Sequence, residues 1–336
     1  MESIDVKLSD KWKVVSIGIP SFNEECNISS LLQSIVELNN SIVRQGHLNT
    51  DSRRGDDIKS RNGDDVLSTR FKIAEVIISD DSSDKTCSIV EEIAAKNPCL
   101  NIRLLHHDTR RGVSAAWNEI FKEARGEIIV LYDADIVLDA SSTLHLVESV
   151  GGNVGLCASN PIPLPQKMSI VSRASLFIAQ WLQSVRKEGL SQYTVMGRGL
   201  SVSSKIAKRI TIPENVIALD LYLQCKILEQ GFDVIYDESA IVYFKPPENV
   251  LDFSSQILRA TNGHKQLKHL TKATRCSLDF KTGTTIALKS AKKNPIGAIC
   301  LAFCYLLLPY FKAKLSGIDS VKWHIANSTK GVSSSN

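Results

Sequence analysis

The chain has 336 residues, of which 43% are apolar and 23% charged, with a formal net charge of +4. That balance belongs to an ordinary globular protein, one large α/β domain plus an appendage or two small domains, and excludes a disordered or fibrous chain. The mild positive charge does not call for nucleic acid, whose binders gather their basic residues on one face.

Met1 to Lys13 is charged and has no apolar centre, so it reads as an N-terminal extension and not as a secretory signal. Val14–Ile19 is a β-rich apolar run that stops at Pro20, which cannot donate to a sheet ladder. Asn23 or Asn27 can cap the helix that follows, in which Ile28, Leu31, Leu32, Ile35, Val36 and Leu38 recur at helical spacing. From about Gln45 to Thr69 the chain turns polar, which predicts a variable insertion. Strand and helix then alternate: Ile73–Ser79, Thr86–Ala95, Ile102–Leu105, Val113–Ala124 and Ile128–Tyr132. This rhythm indicates βαβ units and a largely parallel sheet, with ligands at the carboxyl ends of the strands.

The second half is less regular. Met168–Val185 suits an amphipathic helix, Leu219–Glu229 another with Gly231 as its cap, and Val234–Tyr236 and Ala240–Phe244 read as strands. Asn294–Phe311 carries no charged residue and lies between Lys292-Lys293 and Lys312/Lys314. Its length and basic flanks predict membrane contact, as a span or in the interface, with a core helix as the alternative. Eight cysteines, at 26, 87, 99, 157, 225, 276, 300 and 304, form no Cys-x-x-Cys pair and have no zinc spacing. They read as reduced, mostly buried thiols of a cytosolic protein.

Three strand ends carry polar clusters: Pro20–Glu25, Asp80-Asp81 and Asp133-Ala134-Asp135. Asp133 and Asp135, bent out of a buried strand, can hold Mg2+ or Mn2+, which prefer oxygen ligands and accept phosphates as the remainder, or can stand as a pair of solvated acids at a strand end. Asp80, Asp81 and Asp84 can accept hydrogen bonds from a base or ribose, or simply build a turn and helix cap. Asp220 opens a helix, as a general base on an acceptor hydroxyl or as a charge that favours the helix N-terminus. Arg110 and Arg111 can pair with phosphate or stay solvated. Gln256 and Arg259 share a helix face, and His264 lies just beyond them as a ligand or a structural residue.

Taken in order, these segments resemble glycosyltransferase family 2, over about Val14 to His264. Ile19–Glu25 is similar to the family's Pro-x-Tyr-Asn-Glu, with Phe22 in place of Tyr. Ser79–Thr86 is similar to its Asp-Asp-Gly-Ser-Thr-Asp-Gly-Thr segment, and Arg111–Asn118 to its Arg-Gly…Ala…Asn stretch. Ala124–Asp135 resembles the strand leading into the Asp-x-Asp metal motif, and Gly197–Ser201, Pro213-Glu214, Leu219–Leu221 and Gly231–Val234 follow in family order. Gln256–Ala260 resembles the Gln-x-x-Arg-Trp motif of the polymer-making branch, with Ala260 in place of Trp.

The resemblance implies an inverting, metal-dependent glycosyltransferase of hexosyltransferase type. The fold would be GT-A: a Rossmann-like, mostly parallel central sheet flanked by helices, over residues 14–270, with a membrane-associated helical extension at 271–336. It implies Asp220 as the base, Asp133 and Asp135 as metal ligands, and Pro20, Phe22, Glu24, Asp80 (or Asp81, one residue on), Arg111 and Asp133 as donor contacts. Gln256 and Arg259 would meet the acceptor or phosphate. The implied partners are a nucleotide-sugar donor and a hydroxyl acceptor, lipid-linked or not, on the cytoplasmic face of a membrane, in glycan, polysaccharide or glycolipid synthesis. The rival readings are a nucleotidyltransferase of similar fold and a non-catalytic sugar-nucleotide-binding protein.

Overall fold

The computed structural model describes residues 12–51, 71–165, 167–190, 198–276 and 278–314. The chain begins with β1 (Lys13–Ser21) and α1 (Ile28–Asp51). Ile28, Leu31, Leu32 and Ile35 are fully buried on one face of α1, as their spacing predicts. Residues 45–51, expected to open a loop, are instead the last turns of α1, since nothing there stops a helix as Pro would. The rest of the predicted insertion, residues 52–70, lies outside the described residues, as does most of the N-terminal extension.

The alternation continues with β2 (Phe71–Asp80), α2 (Thr86–Lys96), β3 (Ile102–His106), α3 (Val113–Glu123) and β4 (Ile128–Tyr132). Next come β5 (Ile136–Leu138), α4 (Ser142–Ser149), β6 (Val154–Pro163), α5 (Ile170–Lys187), β7 (Gly199–Ser203) and α6 (Ser204–Ala207). The remainder is α7 (Leu219–Glu229), β8 (Asp233–Phe244), α8 (Val250–Gln266), α9 (Lys268–Ala273), α10 (Phe280–Lys293) and α11 (Pro295–Lys314).

Among the described residues, eight strands form one sheet in the order β3-β2-β1-β4-β7-β6-β8-β5. The half read from sequence, β3-β2-β1-β4, is parallel throughout. β7 enters antiparallel between β4 and β6, β6 and β8 are again parallel, and β5 closes the edge antiparallel to β8. The two strands expected at Val234–Tyr236 and Ala240–Phe244 are one strand. Its bulge is held by the Asn160 Nδ2–H donating to the Glu238 carbonyl at 2.9 Å, where the β6 register shifts.

The buried strands alternate their side chains between two cores. Val15, Ile17, Ile19, Val130 and Tyr132 face α1 and α4, whereas Ile77, Ile129 and Leu131 face Ile120 and Phe121 of α3 and Leu223 and Ile227 of α7. A smaller cluster joins Val171 and Ala174 of α5, Phe253 of α8 and Cys300 and Cys304 of α11.

Candidate functional site

The Pro20–Glu25 loop and the turn after β2 form one rim. Pro20 pairs with Ser79 and Ser21 with Asp80 in the parallel ladder, so both segments leave the sheet together. Asn23, at φ 54, takes a hydrogen bond on Oδ1 from Ser83 N–H at 2.9 Å, and its own N–H donates to Ser82 Oγ at 2.7 Å. Glu24 N–H donates to Thr86 Oγ1 at 2.9 Å, and Glu25 Oε2 accepts from Lys85 N–H at 3.1 Å. Asp84 accepts from Thr86 N–H at 3.0 Å, which is the turn-building use of that residue.

Asp80 is fully buried at the end of β2. Its Oδ1 accepts from Ser82 Oγ at 2.6 Å, and its Oδ2 faces Cys87 Sγ and His106 Nδ1, each at 2.9 Å. Burial alone would raise its pKa, but the bonds from Cys87, Ser82 and His106 hold the carboxyl below the usual range. Asp81 Oδ2 accepts the backbone N–H groups of Arg111 and Gly112 at 2.6 and 3.0 Å, and Oδ1 the Arg111 Nε–H at 3.2 Å. The Arg111 guanidinium reaches on to Glu119 at 2.9 Å. Burial disfavours a charged Glu119, yet the bonds from Arg111, Ser79 and His107 bring it down to about 2. The Arg110 guanidinium stacks over the Phe22 ring at 4.1 Å. Phe22, Glu24, Asp80 and Arg111 thus lie on one continuous rim, with Arg111 tied into it by two carboxylates.

The second group gathers at the end of β4. Gly18 pairs with Leu131, so Asp133 leaves the sheet beside the Pro20 end of β1. Its N–H donates to the Arg198 carbonyl at 3.1 Å, one step beyond the Tyr132–Gly199 pair of the β4–β7 ladder. Arg198 Nη1 meets Asp135 Oδ1 at 3.3 Å while its guanidinium lies 3.8 Å over the Phe244 ring. Burial, then the negative charges of Asp135 and Asp220, push Asp133 up to about 7 against the pull of Arg198 and Arg259. Asp220, in the first turn of α7, is also raised, chiefly by burial, against its bond from Leu221 N–H and the charges of Arg259 and His264. Arg259 of α8 is lowered by burial and answers to Asp220, Asp133, Arg198 and Asp135. Three carboxylates and two guanidinium groups, from four separate stretches of chain, therefore sit within electrostatic reach of one another. Gln256 lies one turn before Arg259 on α8, and His264 Nδ1 is 2.9 Å from the Ala260 carbonyl.

Two features escaped the sequence. Arg198 immediately precedes β7, a strand of only five residues whose own sequence does not reveal what Arg198 meets. Asp80, Cys87 and His106 each offer one ligand atom within 4.8 Å of the others, a grouping that can take a cation and that linear Cys/His spacing does not reveal. All eight thiols are free, and five of them are buried.

An α/β sheet that is parallel on one side and reversed at β7, with acidic residues where the two parts meet, has the GT-A fold. The mannosyltransferase PcManGT from Pyrobaculum calidifontis, solved with GDP-Man and Mn2+, shares this fold with a TM-score of 0.53 at 19% identity, over 93% of this chain and 83% of that one. The Glycosyl transferase family 2 pattern matches residues 61–161. The probable glycosyltransferase YdaM of Bacillus subtilis (strain 168) is 22% identical over 253 residues, 70% of this chain and 51% of that protein. A poly-beta-1,6-N-acetyl-D-glucosamine synthase of Staphylococcus epidermidis is 25% identical over 211 residues, 60% of this chain and 50% of that protein. Over residues 61–161 the chain is thus similar to glycosyltransferase family 2, and these two relatives extend that similarity over 60–70% of its length. It spans about half the length of the curated relatives it matches.

Proposed function

We propose that the chain transfers a sugar, with inversion, from a nucleoside-diphosphate donor to an acceptor hydroxyl. The observation that carries this reading is the joint placement of Asp133, Asp135 and Asp220 with Arg198 and Arg259 at one strand end. The donor set at Asp133 and Asp135 is all oxygen, and its crowded negative charge fits a hard divalent cation. A Mg2+ or Mn2+ ion held there would supply charge neutralisation for the departing diphosphate.

The chain's own groups account for the rest. Asp220 takes the proton of the acceptor hydroxyl as that oxygen bonds to the anomeric carbon, and the bond from that carbon to the diphosphate oxygen breaks on the opposite face. Burial makes Asp220 a stronger base than an exposed carboxylate, against the opposing charge of Arg259. Arg259 and Gln256 orient the phosphates or the acceptor, and Arg198 sets the position of Asp135. The Pro20–Glu25 and Asp80–Asp84 rim, with Phe22 and Arg111, holds the nucleoside end, either Asp80 or Asp81 facing the base. The exposed apolar stripe of α11 and its lysine flanks support contact with a membrane, where a lipid-linked acceptor would be met.

Two measurements test this reading. Asp220→Asn should cut turnover by about 10²- to 10⁴-fold with donor affinity nearly unchanged. Wild-type transfer in that variant, or release of pyrophosphate in place of a nucleoside diphosphate, overturns the mechanism. Thermal scans with UDP-, GDP- and dTDP-sugars should find one donor that raises Tm only with manganese, since a ligand that binds only the folded state stabilises it. Asp135→Ala should abolish that rise, and EDTA should do the same in calorimetry.

A further inference from the structure

Cys225 sits in the middle of α7 and Cys276 follows α9, 51 residues further along the chain. Their sulfurs are 3.2 Å apart, closer than the roughly 3.5–4.0 Å of ordinary heavy-atom contact. Both side chains are buried, within a cluster that includes Leu221, Leu267 and Leu270. The Thr274 hydroxyl lies 3.1 Å from Cys276 Sγ and donates to Cys225 Sγ at 3.6 Å. Cys276 is held in place by its N–H donating to the Thr271 carbonyl at 2.9 Å, after Arg275 turns the chain at φ 53.

The geometry points to Cys225 and Cys276 as a reversible dithiol–disulfide pair that latches α7 to the segment between α9 and α10. The sulfurs need to close by only about 1.2 Å to reach bonding distance. The bond from Cys225, opposed by burial and aided by Thr274, brings the Cys276 thiol down to about 6, while Cys225 is pushed up as its donor. Cys276, at 4% exposure against 0% for Cys225, is the sulfur the oxidant reaches first, and Cys225 is the resolving thiol. With hydrogen peroxide as oxidant, Cys276 sulfur attacks one oxygen, the O–O bond breaks and hydroxide leaves. Cys225 sulfur then attacks Cys276 sulfur, the S–S bond forms, and hydroxide leaves with the Cys225 proton as water. Two thiols are oxidised and one peroxide is reduced to two waters; a small dithiol reverses the change.

The other thiols lack this arrangement. Cys87 and Cys157 are each pushed up to about 12, chiefly by burial. Cys300 and Cys304 are one helical turn apart on α11, a spacing of about 5–6 Å between β-carbons that exceeds the roughly 3.5–4.5 Å a disulfide takes. The Cys225–Cys276 bond closes a loop containing β8, α8 and α9. The sulfur geometry is independent of the transferase reading, and its test does not use activity.

The purified full chain is treated with hydrogen peroxide, unfolded, alkylated with iodoacetamide, and digested without reductant for mass spectrometry. The expected result is a Cys225–Cys276 linked peptide, with a Tm above that of the dithiothreitol-reduced chain and no such rise in Cys276→Ser. Alkylation of both cysteines in the peroxide-treated wild type overturns the proposal whether or not the variant folds. A peroxide-dependent Tm rise that persists in Cys276→Ser overturns it equally.

Discussion

At Asp133, burial and the carboxylates of Asp135 and Asp220 raise proton affinity to about 7. Between the ordinary carboxylate range and that value, the folded protein binds more protons here than the unfolded chain does. Stability from this residue is then greatest at low pH and is lost as pH rises through the folded pKa. Asp133→Asn should raise the Tm of the metal-free protein at about pH 8, and the gain should shrink as pH is lowered towards about 4. A Tm gain that does not change with pH would show that packing and not charge is responsible. Sequence reading found Asp133, Asp135 and Asp220 because each carboxylate stands at a strand end or helix start. It missed Arg198, whose partner Asp135 lies 63 positions away in the chain.

Among the elements, the junction before β4 shows how closely the parallel strands are joined. Gly126 N–H donates to the Ser16 hydroxyl at 2.8 Å, and Ser16 in turn donates to the buried Glu75, which Arg103 meets at 2.8 Å. A β-carbon on Gly126 would lie 2.4 Å from Ser16 N, against backbone that cannot yield as a side chain tip can. Gly126→Ala should therefore cost about 1–3 kcal/mol or more, read as a lower denaturant midpoint. A midpoint within error of wild type would mean that β1 and the turn before β4 can part without loss. The elements legible in sequence were those whose pattern was local: β1 to β4, with their intervening helices, have unbroken apolar runs or helical spacing. β6 carries Pro161 and Pro163, and β5 has only three residues, so neither has a strand signature of its own.

On the scale of the molecule, α11 has two faces. Gly297, Cys300 and Cys304 are buried towards α5 and α8, whereas Ile296, Ile299, Phe303, Leu306 and Tyr310 are exposed at intervals of three and four, with Leu306 at 79%. This stripe, with Lys292, Lys293, Lys312 and Lys314 at its ends, suits a helix lying in the surface of an anionic bilayer. The double variant Ile299→Asp/Leu306→Asp should lose co-sedimentation with phosphatidylglycerol vesicles while keeping its Tm. Undiminished sedimentation would remove the membrane reading.

Local pattern by itself determined the βαβ rhythm, the carboxyl-edge location of the acidic residues, the amphipathic helices and the apolar segment near the end, because periodicity and strand-end chemistry are written in adjacent residues. Only the tertiary structure decided that β7 runs antiparallel between β4 and β6, that Arg198 lies against Asp135, that Cys225 meets Cys276 and that, among the described residues, nothing covers one apolar face of α11. Those outcomes depend on pairings between residues far apart in the chain, which are selected when two cores on opposite faces of one sheet are buried together.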